Sequence, residues 1–386
     1  MNGTLAIWYE PLAVRQDESR EKTSTNAILR PRLEIHFNLW RDLPTGINFL
    51  DIGLKISKHK NVKRIYVYFP VIVKKDQIKD LFPVLQYSNT ISTVFNTVID
   101  SNPSGDLEFS TEIGGNPFAI VHRIRVEEDI EIELVEQSKG GSGSKIILNE
   151  RFCARLRADT SQDQYLRFRL ALTGACKTLF TQDVVSIDKV FVSSAHRLEL
   201  TEIRVNETRS FPQEIARFAR NNSFVIDRVH YFLVRELGNT LVTQHAPLRK
   251  VRRLEPKLWA AYLRGEPISD TRAKQEEALA SKMVIYHWKE EGSETKPIVD
   301  FTAFCCFQSN NPGLIFYIIA LVLLGAAGST ISSLGSGYGP RVSLLFYFVG
   351  VGLLWLTSWL GVWSWIARVL RSWTRRAMDI ASGADR

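Results

Sequence analysis

The sequence predicts a mainly β cytoplasmic domain of sandwich-like sheets with a few helices, followed by a C-terminal two-helix transmembrane hairpin. Three observations carry this. Apolar and polar residues alternate through many short segments between 30 and 240, the period of a strand with one face buried. From Phe301 to Ala367 the only charged side chain is Arg341. The first residues, MNGTLAIWYEPLAV, have no basic region and no long apolar run, so no cleaved signal peptide is expected and the large N-terminal part reads as cytoplasmic.

The strands come first. Leu33, Ile35, Phe37 and Leu39 are apolar, and Glu34, His36 and Asn38 between them are polar. Leu50, Ile52, Leu54 and Ile56 repeat the pattern, as do Ile65, Val67, Phe69 and Val71, and then Ile130, Ile132 and Leu134. Residues 224–234 read as a long central strand. Helices are expected over 75–85, 212–220, 256–264 and 270–282, the last capped by Asp270. Residues 137–145, QSKGGSGSK, read as a flexible connector. They are no Walker A loop, because Lys145 follows Ser144 and neither Ser nor Thr follows the lysine. The expected domains are two β-rich subdomains, 1–137 and 145–248, a helical neck and juxtamembrane segment 249–312, the hairpin 313–367 and a basic tail 368–386.

The hairpin is read from length and charge. Residues 313–334 and 342–367 each exceed the roughly 20 residues that cross a hydrocarbon core of about 30 Å. The segment joining them is too short for a domain, so both ends lie on one side. Arg368, Arg371, Arg375 and Arg376 follow the second span directly, and the positive-inside rule puts them in the cytoplasm. The expected location is a bacterial inner membrane with both termini cytoplasmic. Trp363, Trp365 and Trp373 complete the expected membrane interface with those arginines. In the first span Gly325 and Ser329 are four apart, as are Gly328 and Ser332. Small residues at this spacing let helices approach closely. Together with Ser333 and Ser336 they serve either helix packing or the lining of an oligomeric pore. Cys305 and Cys306 precede this span as candidates for burial or for acylation.

Composition narrows the chemistry. The chain has 386 residues and a formal net charge of +8, which favours an anionic partner: nucleotide, nucleic acid or lipid headgroup. Four cysteines are too few for a disulfide scaffold and have no zinc spacing. No HExxH, GxSxG or dinucleotide fingerprint is present. The seven histidines are scattered singly, and His36 and His122 fall in strand patterns. No catalytic residue, metal or cofactor is expected.

The expected ligand site is an arginine face. Phe152–Arg157 (FCARLR) and Tyr165–Leu170 (YLRFRL) are read as a hairpin about Ser161. Its apolar face carries Phe152, Ala154, Leu156, Leu166, Phe168 and Leu170. Its other face carries Arg155, Arg157, Tyr165, Arg167 and Arg169. Like charges opposite one another destabilise a strand pair, so something neutralises them. One reading is a phosphate-bearing ligand held by forked contacts with Tyr165 stacked on a base. The other is an internal ladder with Asp129, Glu131 and Glu133. A second basic run, Arg249-Lys-Val-Arg-Arg253, reads as a contact for lipid or nucleic acid or as a solvated linker.

A cytoplasmic sensor, a short neck and a terminal two-span hairpin together resemble the two-transmembrane effectors of bacterial anti-phage signalling, of the cyclic-oligonucleotide and Hailong types. The resemblance lies in the organisation of the chain and in no motif. It implies a homo-oligomeric pore gated by an anionic nucleotide or short DNA oligomer, with membrane lipid as partner and a nucleotidyltransferase acting through its product. Two other readings stay open: a membrane-anchored binding or scaffold protein without a pore, and a tethered hydrolase.

Overall fold

The alternating segments form two sheets that close on one core. The structure is a computed structural model describing residues 3–13, 30–41, 46–103, 105–136, 142–184, 196–266, 270–293 and 295–310, with isolated positions 322, 325, 328, 329, 345 and 348. The chain divides into two compact units, 1–184 with 198–308, and 185–197 with 309–386. The first holds the architecture described here.

In chain order the strands are β1 (Thr4–Pro11), β2 (Arg32–Arg41), β3 (Asn48–Ser57), β4 (Val62–Phe69), β5 (Ile78–Asp80), β6 (Asp100–Asn102), β7 (Glu108–Ile113), β8 (Asn116–His122) and β9 (Ile130–Glu136). They continue with β10 (Ser142–Leu148), β11 (Asp163–Ala171), β12 (Thr181–Val184), β13 (His196–Val205), β14 (Val225–Glu236), β15 (Thr240–Gln244), β16 (Lys250–Arg253), β17 (Met283–Glu291) and β18 (Phe301–Asn310). The helices are α1 (Phe82–Leu85), α2 (Ser88–Phe95), α3 (Val126–Asp129), α4 (Glu150–Ala158), α5 (Gln213–Asn221), α6 (Pro256–Arg264) and α7 (Asp270–Ala280).

Among the described residues the larger sheet runs β16-β17-β14-β2-β3-β11-β8-β7-β6, with β5 also on β11. The smaller runs β15-β18-β13-β1-β4-β10-β9, with β12 on β13. Leu33, Ile35, Phe37 and Leu39 of β2 and Leu50, Ile52, Leu54 and Ile56 of β3 meet Leu5, Ile7, Ile65, Val67 and Ile146 of the smaller sheet in one core. That is the two-layer solution for sheets with one apolar face each. On the outer face of the larger sheet, α1, α2 and α6 pack Phe82, Ile91, Trp259 and Tyr262 against Trp40 and Val234. On the outer face of the smaller sheet, Ile215 and Ala219 of α5 cover Trp8 and Tyr68.

The mainly β class and the strand periodicity agree with the expectation, as do α5 and α6. Four features differ. The transmembrane hairpin is corrected: no helix among the described residues is long and apolar enough to cross a membrane. The longest, α7, has 11 residues and reaches only about 16 Å, half a hydrocarbon core. The inner-membrane location rested on that hairpin and is withdrawn with it. Of its expected packing residues, Gly325, Gly328 and Ser329 are helical. Ser332, Ser333, Ser336 and the interface residues Trp363, Trp365, Arg368, Arg371, Trp373, Arg375 and Arg376 lie outside the described residues.

The other differences are local. Residues 75–85 form a short 3-10 turn, β5 and α1 rather than one helix. Residues 142–145 of the expected connector belong to strand β10, where Lys145 pairs with Glu133 at 2.6 Å, and 137–141 lie outside the described residues. The expected neck is built into the sandwich: β17 pairs with β14, and β18 with β15. Cys305 and Cys306 are buried in β18, as apolar side chains of a core strand.

Candidate functional site

The expected arginine hairpin does not form, because residues 152–157 are helical. Asn149 caps α4, its side-chain oxygen accepting from Phe152 N at 3.1 Å, and Phe152, Cys153 and Leu156 form the buried face. Arg155 and Arg157 stand in the last turn, where cations suit the helix dipole. Arg155 donates from Nη1 and Nη2 to Asp129, at 3.2 and 2.8 Å. Arg157 donates to the Val62 carbonyl at 2.5 Å. Neither faces β11.

Tyr165, Arg167 and Arg169 do share one face of β11, but α6 covers it. Arg169 donates from Nε and Nη2 to Asp51, at 2.7 and 3.1 Å, and to the Leu263 and Tyr262 carbonyls. Arg167 Nε donates to Tyr262 Oη at 2.6 Å, which donates on to Asp51 Oδ2 at 2.8 Å. Arg167 Nη1 donates to Tyr165 Oη at 2.9 Å, while Nη2 is buried without a partner. Asp51 thus supplies the negative charge for both arginines on this face, to Arg169 directly and to Arg167 through Tyr262 Oη. Of the acidic strand face offered for that role, only Asp129 meets one of these arginines, Arg155. Tyr165, Arg167 and Arg169 join one buried network, whereas Arg155 and Arg157, half-buried on α4, go to separate partners, and the five form no single open face.

A different set of residues opens to solvent on the same sheet. Hydrogen-bond register puts β17, β14, β2, β3 and β11 side by side, so residues far apart in the chain fall into rows. One row is Lys289, His230, His36, Gly53 and Arg167. The next is Glu291, Arg228, Glu34, Lys55 and Tyr165. β16 adds Lys250 opposite His287 and Arg252 opposite Ile285. A methyl at Gly53 would lie 2.4 Å from Tyr165 Oη and 2.6 Å from Arg167 Nη1, so only glycine leaves room there.

Where α2 and α6 stop, Lys289, His230 and His36 of the first row and Arg228, Glu34 and Lys55 of the second line a cleft of about 400 Å³, the size of a small-molecule site. Six cationic side chains line it, Lys55, Arg228, Arg249, Lys250, Arg252 and Lys289, against one carboxylate, Glu34. Arg228 is held by Glu34 at 3.3 Å and Glu291 at 3.3 Å, and Arg252 by Glu255 at 2.6 Å. Lys55 pairs with Asp163 at 3.0 Å, and Lys289 with Glu291. Among the described residues no carboxylate lies within ion-pair distance of Arg249 or Lys250, both exposed. Phe95, Phe118 and Phe232 form its aromatic wall. Phe95 meets Phe118 edge-on at 5.1 Å, and Phe232 stacks on His287 at 4.2 Å.

At the floor, His36 Nε2 lies 3.0 Å and His230 Nε2 3.5 Å from the same atom, Glu34 Oε1. His230 Nδ1 meets His287 Nε2 at 3.1 Å, and His36 Nδ1 faces Tyr165 Oη at 3.5 Å. Burial pushes Glu34 upward, but the His36 hydrogen bond and the charges of Arg228 and Lys55 overcome it and hold the carboxyl at about 2. Burial drives His230 down to about 2, helped by His36 and His287. Burial, then Arg249 and Lys289, takes His287 down to about 4. His36 is lowered by burial, against the pull of Glu34. At neutral pH the floor therefore holds one carboxylate among uncharged imidazoles, beneath a cationic rim.

Sequence reasoning missed this floor, since His36, His230 and His287 are singletons in the chain and only register joins them. The basic run 249–253 did signal the rim. A scan of protein families and a search of curated proteins both find no match to this chain.

Proposed function

We propose that this chain is a binding protein for a phosphate-bearing anion, a nucleotide or short oligonucleotide, and that the cleft on the outer face of the larger sheet is its site. The observation that carries the reading is the charge around the cleft: six cations to one carboxylate, in a cavity walled by aromatic rings. Cations that converge on a concave surface raise the local concentration of anions. Arginine donors bind phosphate oxygens in forked pairs. Phe95, Phe118 and the Phe232–His287 stack offer flat surfaces to a base. Arg249 and Lys250 are the side chains most available to such a ligand, because among the described residues no carboxylate lies within ion-pair distance of them.

The test is calorimetric titration of the full chain with ATP and with a tetranucleotide of DNA. Each charge-assisted hydrogen bond contributes about 1.5–3 kcal/mol, so the double variant Arg249→Glu/Lys250→Glu should bind at least about tenfold more weakly. Arg253→Glu is the control. It lies on the same edge strand and reverses a charge, but it does not line the cleft, and it should leave affinity within about threefold. Equal affinity of the double variant and the parent chain would refute the reading.

A further inference from the structure

We infer that Glu34, His36 and His230 form a site for a divalent transition-metal ion of the zinc type, with its open coordination position facing the cationic cleft. The three side chains come from adjacent parallel strands, His36 directly opposite His230 and Glu34 two residues before His36 on the same face. Their ligand atoms lie within 4.8 Å of one another. Both imidazoles present Nε2 to one carboxylate oxygen, at 3.0 and 3.5 Å. Ligand atoms about 2.0–2.2 Å from a tetrahedral ion stand roughly 3.3 Å apart, so an ion fits between them with small side-chain movements.

The outer contacts favour the same arrangement. A metal-binding histidine offers its second nitrogen to a fixed polar group, which sets the ring's orientation. Here His36 Nδ1 faces Tyr165 Oη, itself held by Arg167, and His230 Nδ1 faces His287 Nε2. The second oxygen of Glu34 is held by Arg228. All three ligands are thus braced on the side away from the point where they converge. Two histidines and one carboxylate make the protein part of an open site, which leaves a fourth position for water or an anion.

The rim opposes a bare dication and favours a dication that carries an anion. Metal and phosphate should therefore each strengthen binding of the other by the same factor. The phosphate half of this inference rests on the proposed function, whereas the metal half does not.

The experiment is titration of the full chain with Co²⁺ alone, followed by its visible absorption, and then with inorganic phosphate added. One Co²⁺ per chain with the intense bands of a four-coordinate site is expected. His36→Ala and His230→Ala should each weaken binding by roughly tenfold or more, and His245→Ala, at an exposed histidine, should not. Correct folding of each variant is checked by circular dichroism. Absence of a four-coordinate spectrum, or the same affinity in both floor variants, would overturn the metal site. Nucleotide titration in the presence of a chelator separates the two claims. Binding that persists there while Co²⁺ fails leaves the cleft and removes the metal, whereas Co²⁺ binding that phosphate does not strengthen removes the bridging role.

Discussion

Asp129 shows how a single side chain settles the fate of one expected ligand residue. It is fully buried, accepts two hydrogen bonds from Arg155 and one from Arg125 N at 2.9 Å, and ends the short helix α3. Burial works against its charge, but the Arg155 hydrogen bonds prevail and its carboxyl is held below the usual range. A carboxylate lowered in this way adds stability that is fully present above its unfolded value near 3.9, and that stability is lost as pH falls through the folded value. Asp129→Asn should therefore cost roughly 3 kcal/mol at pH 7, the low end for breaking a buried pair. Below about pH 4 the difference from the parent chain should shrink. Urea denaturation at pH 7 and pH 3 measures both, and an equal deficit at the two pH values would show that the pair carries no such linkage.

At the scale of elements, the reading of the sequence succeeded where periodicity was clean and the environment simple. The strands of β2, β3 and β4 were legible because each has one apolar and one polar face. α6 was legible from its initial proline and its ending at Gly265, which takes a left-handed φ of 69°. α4 was not, because Phe152, Ala154 and Leu156 also fit a period of two. The signal that separates the readings is the cap: Asn149 followed by Glu150 is a helix start. Asn149→Ala should cost about 1 kcal/mol, seen as a lower midpoint in thermal or urea unfolding, and a variant as stable as the parent chain would deny the cap that role. Of the site, only one edge was legible. The 249–253 run announced the basic strand β16, but nothing local marks His230 or Glu34 as neighbours. Their proximity is a product of the parallel β2–β14 pairing, which joins residues nearly two hundred positions apart.

The whole molecule gives the larger sheet two different faces. One is apolar from edge to centre and closes on the smaller sheet. The other is covered by α1, α2 and α6 at β11, where Tyr165 and Arg167 are buried, and opens as a cleft along the same rows towards β2, β14 and β17, where Glu34, His36, His230 and the rim cations lie. Of the arginines that looked most available in the sequence, Arg167 and Arg169 lie beneath α6 and Arg155 against Asp129, and Arg157 is turned to the Val62 carbonyl, whereas among the described residues no carboxylate lies within ion-pair distance of Arg249 or Lys250. The central claim is that the ligand occupies this open part of the sheet. Photolabelling of the full chain with an 8-azidoadenosine nucleotide, mapped by mass spectrometry, tests it most directly. The account predicts adducts on peptides containing Phe95, Phe118, Phe232 or His287 that excess unlabelled ATP suppresses. Adducts confined to the basic tail 368–386 or to α4, or no labelling that ATP competes away, would contradict it.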